Sequence, residues 1–520
     1  MSRKLLLLML LALLLGTLNL ASRVEKVEAS GTIYIRSDGS VDPPTAPIQR
    51  DGDLYTLIGN VYASIEIQRS NTILDGAGYM IFPEWAISLR STQAINNITI
   101  KNTEIRAAWT AIYLANASNC NIYGNSMTNN HSGIELYVQS NNNNIYGNNI
   151  TNSTYVGIQF SESNNNTVSG NNITNNEYGI SLSGSSNIIS GNVLSDNKYN
   201  FDVSGDLSSY SIDTSNLVNS KPVYYLMNQK NLVITPATYP QVGYLALINC
   251  INITVEDLTL TNNGQGLLLA NTNSSKIINN QIENNVLGVF LINSSNNSIY
   301  HNNFINNALS ASIDQYSIEG PWANVWDDGY PSGGNYWSDY LGNHANHDGI
   351  GDISYVIDAN NIDHYPLMGM FSEFNVSVPY DKTENVTLIN NSTVSNLRLL
   401  IWLSSPYEGL QPGQPFIQFY ASGENGSVGF CRLMIPKTVL NSSSYTVLVD
   451  SQPVNAAMLP ISNSTHAYLY FTYTHSAHEV IVTVPEFPLL ALPLFIIAAL
   501  LTVTVFERKR RKLSRATCAF

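Results

Sequence analysis

Aromatic and acidic side chains between residues 322 and 364 form the densest group of binding chemistry in the sequence. Exposed aromatic rings stack on the faces of sugars, and nearby carboxylates and amides bind hydroxyl groups. An alternative interpretation is a cap, in which the same rings seal the last coil of a repeat fold. The ligand surface that we predict comprises Trp322, Trp326, Tyr330, Tyr336, Trp337, Asp339 and Tyr340.

A short oxygen-rich segment follows, and it predicts a calcium site at Asn346, Asp348 and Asp352. Oxygen side chains at alternate positions around a tight glycine turn can surround a hard cation. The segment is not an EF-hand, because His344 stands where that pattern has Asp and no Glu occupies its twelfth position. The same residues also form ordinary Asp–Gly turns, which is the alternative.

The sequence gives little support to copper, which prefers Cys and Met sulfur as Cu(I) and imidazole as Cu(II). One suggestive group is His364 with Met368 and Met370. No cofactor is otherwise indicated. The four cysteines are far apart and form neither a zinc motif nor a disulfide framework: Cys120, Cys250, Cys431 and Cys518.

Catalysis on a sugar would need two carboxylates about 5 to 9.5 Å apart. The repeats described next place four residues at equivalent outward positions: Glu135, Gln159, Ser181 and Asp202. The two acids of this set, Glu135 and Asp202, are three coils apart, which is roughly 14 Å at the spacing of β-strands. The sequence therefore favours a non-catalytic protein, with a polysaccharide lyase or a glycoside hydrolase as the alternative.

One short phrase recurs along the chain and positions the four outward residues just named. Gly133-Ile-Glu-Leu, Gly157-Ile-Gln-Phe, Gly179-Ile-Ser-Leu and Asn200-Phe-Asp-Val start 24, 22 and 21 residues apart (157 − 133, 179 − 157, 200 − 179). A repeat of this length predicts a solenoid.

Within each repeat, apolar β-branched residues alternate with polar ones, as in short strands with one buried face. We predict an all-β protein, in which a right-handed parallel β-helix of ~22-residue coils buries Ile, Leu and Val. Asn and Gly should occupy corners with positive φ, and equivalent asparagines should form hydrogen-bonded ladders between coils. Alternating strands after residue 370 predict a small β-sandwich.

Three phrases outside the regular coils carry a family resemblance: 213–225, 329–340 and 348–352. With the repeats, they resemble the archaeal NosD-type β-helix proteins over roughly residues 60 to 370. Their repeats belong to a broader group found in carbohydrate-binding proteins and sugar hydrolases. The bacterial namesake is linked to copper delivery for nitrous oxide reductase, so the resemblance also implies a copper-accessory alternative.

The two ends of the chain predict export and membrane anchoring. A basic start followed by a leucine-rich run predicts a signal peptide over 1–29. Residues 489–506 are apolar and precede a basic cluster, which predicts a single-pass C-terminal transmembrane helix with a cytoplasmic tail. The tripeptide Pro485, Glu486 and Phe487 resembles the PEF-type sorting signal of archaeal surface proteins, which implies processing by an archaeosortase as the alternative to a retained helix.

Composition and charge exclude one class of binding partner and predict a modification. The chain has 38 acidic and 24 basic residues, a net charge of −14, and its charged residues make up 12%. A nucleic-acid-binding surface needs clustered Lys and Arg, so nucleic acid is excluded as a partner. Asn-x-Ser/Thr sequons predict a glycoprotein; they include Asn97, Asn149, Asn172, Asn252, Asn293, Asn385, Asn441 and Asn463.

The predicted organisation is a signal peptide (1–29), a lead-in and cap (30–64), the β-helix (65–320, with an insertion over 207–243), an aromatic and Asp-rich cap (321–370), the sandwich (371–484) and the anchor (485–512). We expect a protein on the extracellular face of the cell membrane that binds glycans or envelope proteins. A passive surface-layer element is the structural alternative.

Overall fold

The computed structural model describes residues 31–314, 322–378, 382–401 and 414–484. Two compact units are distinguished: the first holds residues up to 298 together with 304–324, and the second holds 299–303 together with 325 onward. Within the described ranges, no helix is long and apolar enough to cross a membrane. The predicted signal peptide, PEF tripeptide and membrane span lie outside these ranges.

The first unit is a parallel β-solenoid, which confirms the predicted all-β repeat fold, and the whole fold has about 12 coils. Each early coil contributes one strand to each of three sheets. The first sheet runs in the order Val41–Asp42, Thr32–Ile35, Ser64–Ile67, Trp85–Asn96, Thr110–Ser118, Ser132–Tyr137, Val156–Ser161, Tyr178–Leu182 and Tyr199–Val203. The second runs Ile48–Asp51, Leu54–Leu57, Thr72–Asp75, Ile98–Lys101, Asn121–Tyr123, Asn144–Tyr146, Thr167–Ser169, Ile188–Ser190 and Ser211–Ile212.

The third sheet continues beyond the early coils. Its strands are Met80–Ile81, Glu104–Arg106, Ser126–Thr128, Asn149–Thr151, Asn172–Thr174, Val193–Ser195, Leu217–Val218, Lys221–Met227, Tyr244–Ile248, Gln265–Ala270, Leu287–Ile292 and Leu309–Asp314. The later coils add Val233–Ile234, Thr254–Glu256, Lys276–Ile278 and Ser298–Tyr300 in one sheet, and Thr259–Thr261, Gln281–Glu283 and Asn303–Ile305 in another. A single 3-10 turn, Leu207–Ser209, is the one helical element of the described residues.

The break in the repeat is narrower than the predicted insertion over 207–243. Ser211–Ile212 and Leu217–Val218 still pair in parallel with the preceding coil. The chain then reverses, because Lys221–Met227 pairs antiparallel with Leu217–Val218. Tyr244–Ile248 next pairs in parallel with Lys221–Met227, so the later coils resume on the third sheet rather than the first. A hairpin of a few residues therefore shifts the phase of the solenoid. The strands with the Gly-Ile phrase lie in the first sheet before the hairpin, and their later counterparts, such as Gln265–Ala270, lie in the third.

Corner chemistry explains why the sequence is so rich in asparagine. A residue with positive φ, such as Gly147 or Asn152, turns the chain and stays exposed. The residue after it is often a fully buried asparagine, as at Asn148. Side-chain amides link such residues from coil to coil, with Nδ2 to Oδ1 distances of 2.9 to 3.0 Å, along Asn125, Asn148, Asn171, Asn192 and Asn216. The predicted ladders are confirmed.

The second unit contains two antiparallel sheets around one hydrophobic core. One sheet runs Met370–Val378, Lys382–Asn390, Val428–Pro436, His466–Thr474 and Ala456–Met458; the other runs Thr393–Ile401, Pro415–Ser422, Ala477–Thr483, Thr446–Val449 and Gln452–Val454. The segment before them adds the short strands Tyr336–Trp337, Tyr355–Asp358 and Asn361–Asp363. Alternation of buried and polar residues along these strands positions one face of each sheet against the shared core.

Candidate functional site

A row of partly exposed rings lies on the first unit. It lies at or just before the start of five consecutive strands of the first sheet. We call this row the aromatic stripe, and its members are Trp109, His131, Tyr155, Tyr178 and Tyr199.

In-register parallel pairing brings the rings of the aromatic stripe together, because equivalent residues of neighbouring coils are one strand spacing apart. Trp109 stacks on His131 with ring centroids 4.0 Å apart, and His131 stacks on Tyr155 at 5.4 Å. Tyr155 meets Tyr178 edge-on at 5.9 Å, and Tyr178 tilts against Tyr199 at 5.1 Å. Trp109 is 52% exposed and Tyr155 is 37% exposed. Their rings therefore offer apolar faces or edges to a ligand.

A second group of rings lies on three neighbouring strands of the first sheet. Trp85 begins Trp85–Asn96, Tyr113 lies within Thr110–Ser118, and Tyr137 ends Ser132–Tyr137. Trp85 packs edge-on against Tyr113 at 5.5 Å, and Tyr113 stacks on Tyr137 at 6.4 Å. The guanidinium of Arg90 lies 4.9 Å from the ring of Trp85 and 4.8 Å from that of Tyr113. This cation holds the first two rings in place and adds a hydrogen-bond donor at one end of the surface.

An open polar cleft of about 730 Å³ borders the other end of the aromatic stripe. Lys198 joins the two, because its ammonium lies 5.0 Å from the ring of Tyr199 and also lines the cleft. Glu177 accepts a hydrogen bond from this ammonium at 3.3 Å and raises the pKa of Lys198. The remaining lining is mostly amides and hydroxyls, including Asn175, Ser195, Asn219, Ser220 and Asn262, and it has one carboxylate, Asp196.

The predicted column of outward residues is present on the first sheet, and Tyr113 precedes it in register with Glu135. Glu135 pairs with Gln159, Gln159 with Ser181, and Ser181 with Asp202. Asp202 differs from the prediction because it is enclosed: it accepts hydrogen bonds from Ser181 (2.8 Å) and Gln265 (2.6 Å), and burial raises its pKa. The cause is the phase shift, which places Gly264 and Gln265 over the last strand of the first sheet.

Most of the predicted ligand residues lie in the second unit, and the structure divides them by burial. Trp326 and Trp337 are fully buried, with ring centroids 5.9 Å apart, and their indole N–H groups donate to Asn361 and Asp363. Burial makes these two tryptophans core residues, so they cannot serve as stacking platforms for a sugar.

The other members of that set are more accessible. Tyr330 is 48% exposed and Asp339 is exposed, whereas Tyr336 and Tyr340 are half-buried. Trp322, also half-buried, belongs to the first unit. The structure therefore does not assemble the seven residues into one exposed aromatic surface within either unit.

The predicted calcium residues make turn contacts. Asp348 is buried. Its carboxylate accepts hydrogen bonds from the backbone N–H of Ile350 at 3.0 Å and from the side chain of Asn346 at 3.0 Å. Asp352 accepts from the backbone N–H of Ala345 at 2.6 Å. No cluster of three or more His, Cys, Asp or Glu side chains suited to a metal occurs among the described residues. Calcium binding by this loop, with Asn346 as a third oxygen ligand, stays a prediction.

Sequence reasoning missed the aromatic stripe, although a signal was present. A ring precedes the inward Ile or Phe of each repeat by two or three positions, as Trp109 precedes Ile112 and Tyr155 precedes Ile158. The Gly-Ile phrase is the strongest repeat signal of the sequence, and the rings lie outside it. Only the paired register shows that they stack.

This fold and surface define a parallel β-solenoid repeat protein with an exposed aromatic face. The family model described as "Periplasmic copper-binding protein (NosD)" matches residues 60–232 and 206–342, which is more than half of the chain. The chain therefore belongs to the NosD family.

Among curated proteins, none matches the sequence. Solved structures that align with it include the mannuronan C-5 epimerase AlgE6 A-module of Azotobacter vinelandii, at 14% identity and TM-score 0.24, over 57% of this chain and 90% of that one. Another is the tailspike gp49 of Acinetobacter baumannii bacteriophage Fri1, a capsular polysaccharide depolymerase, at 9% identity and TM-score 0.26, over 82% and 78%. Likeness at this level supports no conclusion about activity.

The described residues do not fit the copper of the family's description. His364 Nδ1 lies 3.0 Å from the Asp327 carboxylate, and Met368 packs in an apolar cluster. Cys120 is buried, and burial raises the pKa of its thiol to about 11, which disfavours the thiolate that binds metals. Burial likewise raises the pKa of Cys431. No copper chemistry is therefore derived for these residues.

Proposed function

We propose that this NosD-family chain is a non-catalytic cell-surface protein that binds glycans, or envelope components that carry them, along the aromatic stripe. The observation that carries the proposal is the continuous row of partly exposed rings from Trp109 to Tyr199, each in contact with the next. Such rings pack against the apolar faces of sugars, and the polar cleft beside Lys198 supplies amides and hydroxyls for their hydroxyl groups.

The proposal includes export and anchoring by the C-terminal segment, as the two ends of the sequence predict. Glycosylation fits the same location. Seven of the predicted sequon asparagines are exposed, whereas Asn293 is half-buried with a buried side-chain oxygen, so we expect occupancy at the exposed sites and none at Asn293.

The test is affinity electrophoresis of the full chain in gels that contain neutral or acidic polysaccharides. Replacement of Trp109 and Tyr155 together by Ala should weaken binding about tenfold or more, because each ring contributes on the order of 1 kcal/mol to stacking. Both rings are accessible, so the fold should be kept.

The matched control is Tyr146→Ala, which removes an exposed tyrosine of the second sheet that stacks on Tyr123 at 4.8 Å. It should leave binding unchanged. If the double variant binds as well as the parent chain, the aromatic stripe is not the binding surface. Release of new reducing ends from any polysaccharide would instead make the chain an enzyme.

A further inference from the structure

A small cavity of about 260 Å³ lies within the second unit, apart from the aromatic stripe. Much of its wall is apolar, formed by Phe371, Ile389, Met434 and the ring of Tyr468. Arg432 contributes the one cationic side chain of its lining. A cavity of this size suits a small organic molecule with an apolar body.

Arg432 is unusual because its charge is buried and lacks an ion-pair partner. The side chain is 3% exposed, and no carboxylate of the described residues lies within salt-bridge distance of it. Its Nη2 donates to the carbonyl of Pro331 at 2.6 Å, whereas Nη1 has no hydrogen-bond partner among the described residues. The guanidinium also lies 5.3 Å from the centre of the Tyr468 ring. A buried charge with an unsatisfied donor is costly unless something else neutralises it.

The neighbouring groups provide limited compensation. Asp348 acts on Arg432 through its charge, but its oxygens are occupied by Ile350 and Asn346. Glu373 lines the cavity and accepts a hydrogen bond from Asn385. His301 is neutral above about pH 4, because burial lowers its pKa to about 4.

We propose that this cavity binds a small organic carboxylate, whose charge pairs with Arg432 while its body packs against Phe371 and Tyr468. Guanidinium and carboxylate are both planar and form strong charge-assisted hydrogen bonds, which suits a single buried arginine better than the higher charge of phosphate. An acidic sugar and an aromatic acid both present this chemistry. The site is independent of the aromatic stripe, so either proposal can fail alone.

The first experiment is isothermal titration calorimetry of the full chain with glucuronate and with benzoate at constant ionic strength. Glucose and benzamide are the matched neutral probes, and sodium chloride and phosphate are the matched inorganic ions. We expect saturable binding of at least one carboxylate and no binding of its neutral counterpart. Tighter binding of glucuronate would indicate an acidic sugar as the ligand, and tighter binding of benzoate would indicate an aromatic acid. Equal binding of neutral and charged probes, or no binding of either carboxylate, overturns the proposal.

The second experiment compares Arg432→Met with Arg398→Met, which removes an exposed arginine of the same unit that does not line the cavity. The first should weaken carboxylate binding tenfold or more and should not lower the melting temperature of the ligand-free protein, because an unpaired buried charge is replaced by an apolar chain. The second should leave binding unchanged. If Arg432→Met lowers the melting temperature and leaves binding intact, Arg432 is a structural residue and the proposal is wrong.

A third variant avoids dependence on the folding of Arg432→Met. Glu373→Gln removes a negative charge from the cavity wall and keeps an acceptor for Asn385. Carboxylate binding should become severalfold tighter, because repulsion between like charges is removed. Unchanged or weaker binding contradicts the proposal.

Discussion

At the scale of single residues, this protein depends on buried amides. Asn171 accepts from both the backbone N–H and the side chain of Asn148 at 3.0 Å, and donates to Ile145 O at 2.9 Å and to Asn192 Oδ1 at 3.0 Å. One side chain thus joins its own coil to both neighbouring coils, and it supplies the acceptor for the buried backbone N–H of Asn148.

Asn171→Leu should lower the free energy of unfolding by about 3 kcal/mol, because a side chain of similar size leaves several buried donors and acceptors unpaired. Urea titration of the full chain measures the change. Asn175→Gly is the control, since Asn175 is exposed with φ +56° and glycine accepts that conformation; its effect should stay within about 0.5 kcal/mol. Equal effects of the two variants would show that the ladder contributes no special stability.

Asp363 makes the second unit sensitive to pH. Its carboxylate accepts from the backbone of Asn335 at 2.8 Å and from the indole of Trp337 at 2.9 Å, yet burial raises its pKa from 3.8 to about 7. A raised pKa in the folded state means that stability is fully present below the unfolded pKa and is lost as pH rises through about 7.

Asp363→Asn should remove this pH dependence while it keeps one oxygen for Asn335 and Trp337. The stability of the parent relative to the variant should fall by on the order of 4 kcal/mol between pH 4 and pH 8. Melting temperatures across that range measure the difference, which cancels the opposite effect of His301, whose pKa burial lowers to about 4. A constant difference would mean that Asp363 does not titrate there.

At the scale of elements, the contact between successive coils explains the glycine of the Gly-Ile phrase. A Cβ on Gly157 would lie 2.6 Å from the carbonyl oxygen of Gly179 and 2.6 Å from Ile173 Cγ2. The backbone of the next coil therefore occupies the space that a side chain needs, and the conformation of Gly157 itself is not the constraint.

Gly157→Ala should cost about 3 kcal/mol of unfolding free energy, because neither the backbone of the next coil nor the packed isoleucine can move freely. Gly147→Ala is the control: its φ of +61° is strained for alanine, but no atom lies within 4 Å of the added Cβ. That variant should cost about 1 to 2 kcal/mol. A larger loss at Gly147 would show that backbone strain outweighs coil packing.

At the scale of the whole molecule, net charge should select among glycans. The chain carries −14, from 38 acidic and 24 basic residues, so it repels polyanions at long range. This field is screened as the Debye length falls from about 10 Å at 0.1 M salt to about 3 Å at 1 M.

Binding of an acidic polysaccharide to the aromatic stripe should therefore strengthen as salt is raised, whereas binding of a neutral one should change little. Affinity electrophoresis at several salt concentrations distinguishes the two. Weakening with salt would contradict this expectation and would show that the local cations Arg90 and Lys198 dominate over the net charge.

The sequence by itself determined the repeat architecture. Ile134 and Leu136 face inward and Glu135 does not, because a strand alternates its side chains with period two whatever its surroundings. Asparagine ladders followed for the same local reason, since equivalent corners of in-register coils must meet. The tertiary structure alone decided the phase shift at the hairpin after Val218, which encloses Asp202, and the burial of Trp326 and Trp337.

The stacking of Trp109, His131 and Tyr155 likewise depends on the tertiary structure, and so does the unpaired charge of Arg432. Both result from residues that are distant in the chain and meet in space. Spacing along one strand predicts which way a side chain points. It does not predict what approaches that side chain from another coil or another sheet, and that neighbour sets exposure, charge compensation and therefore binding.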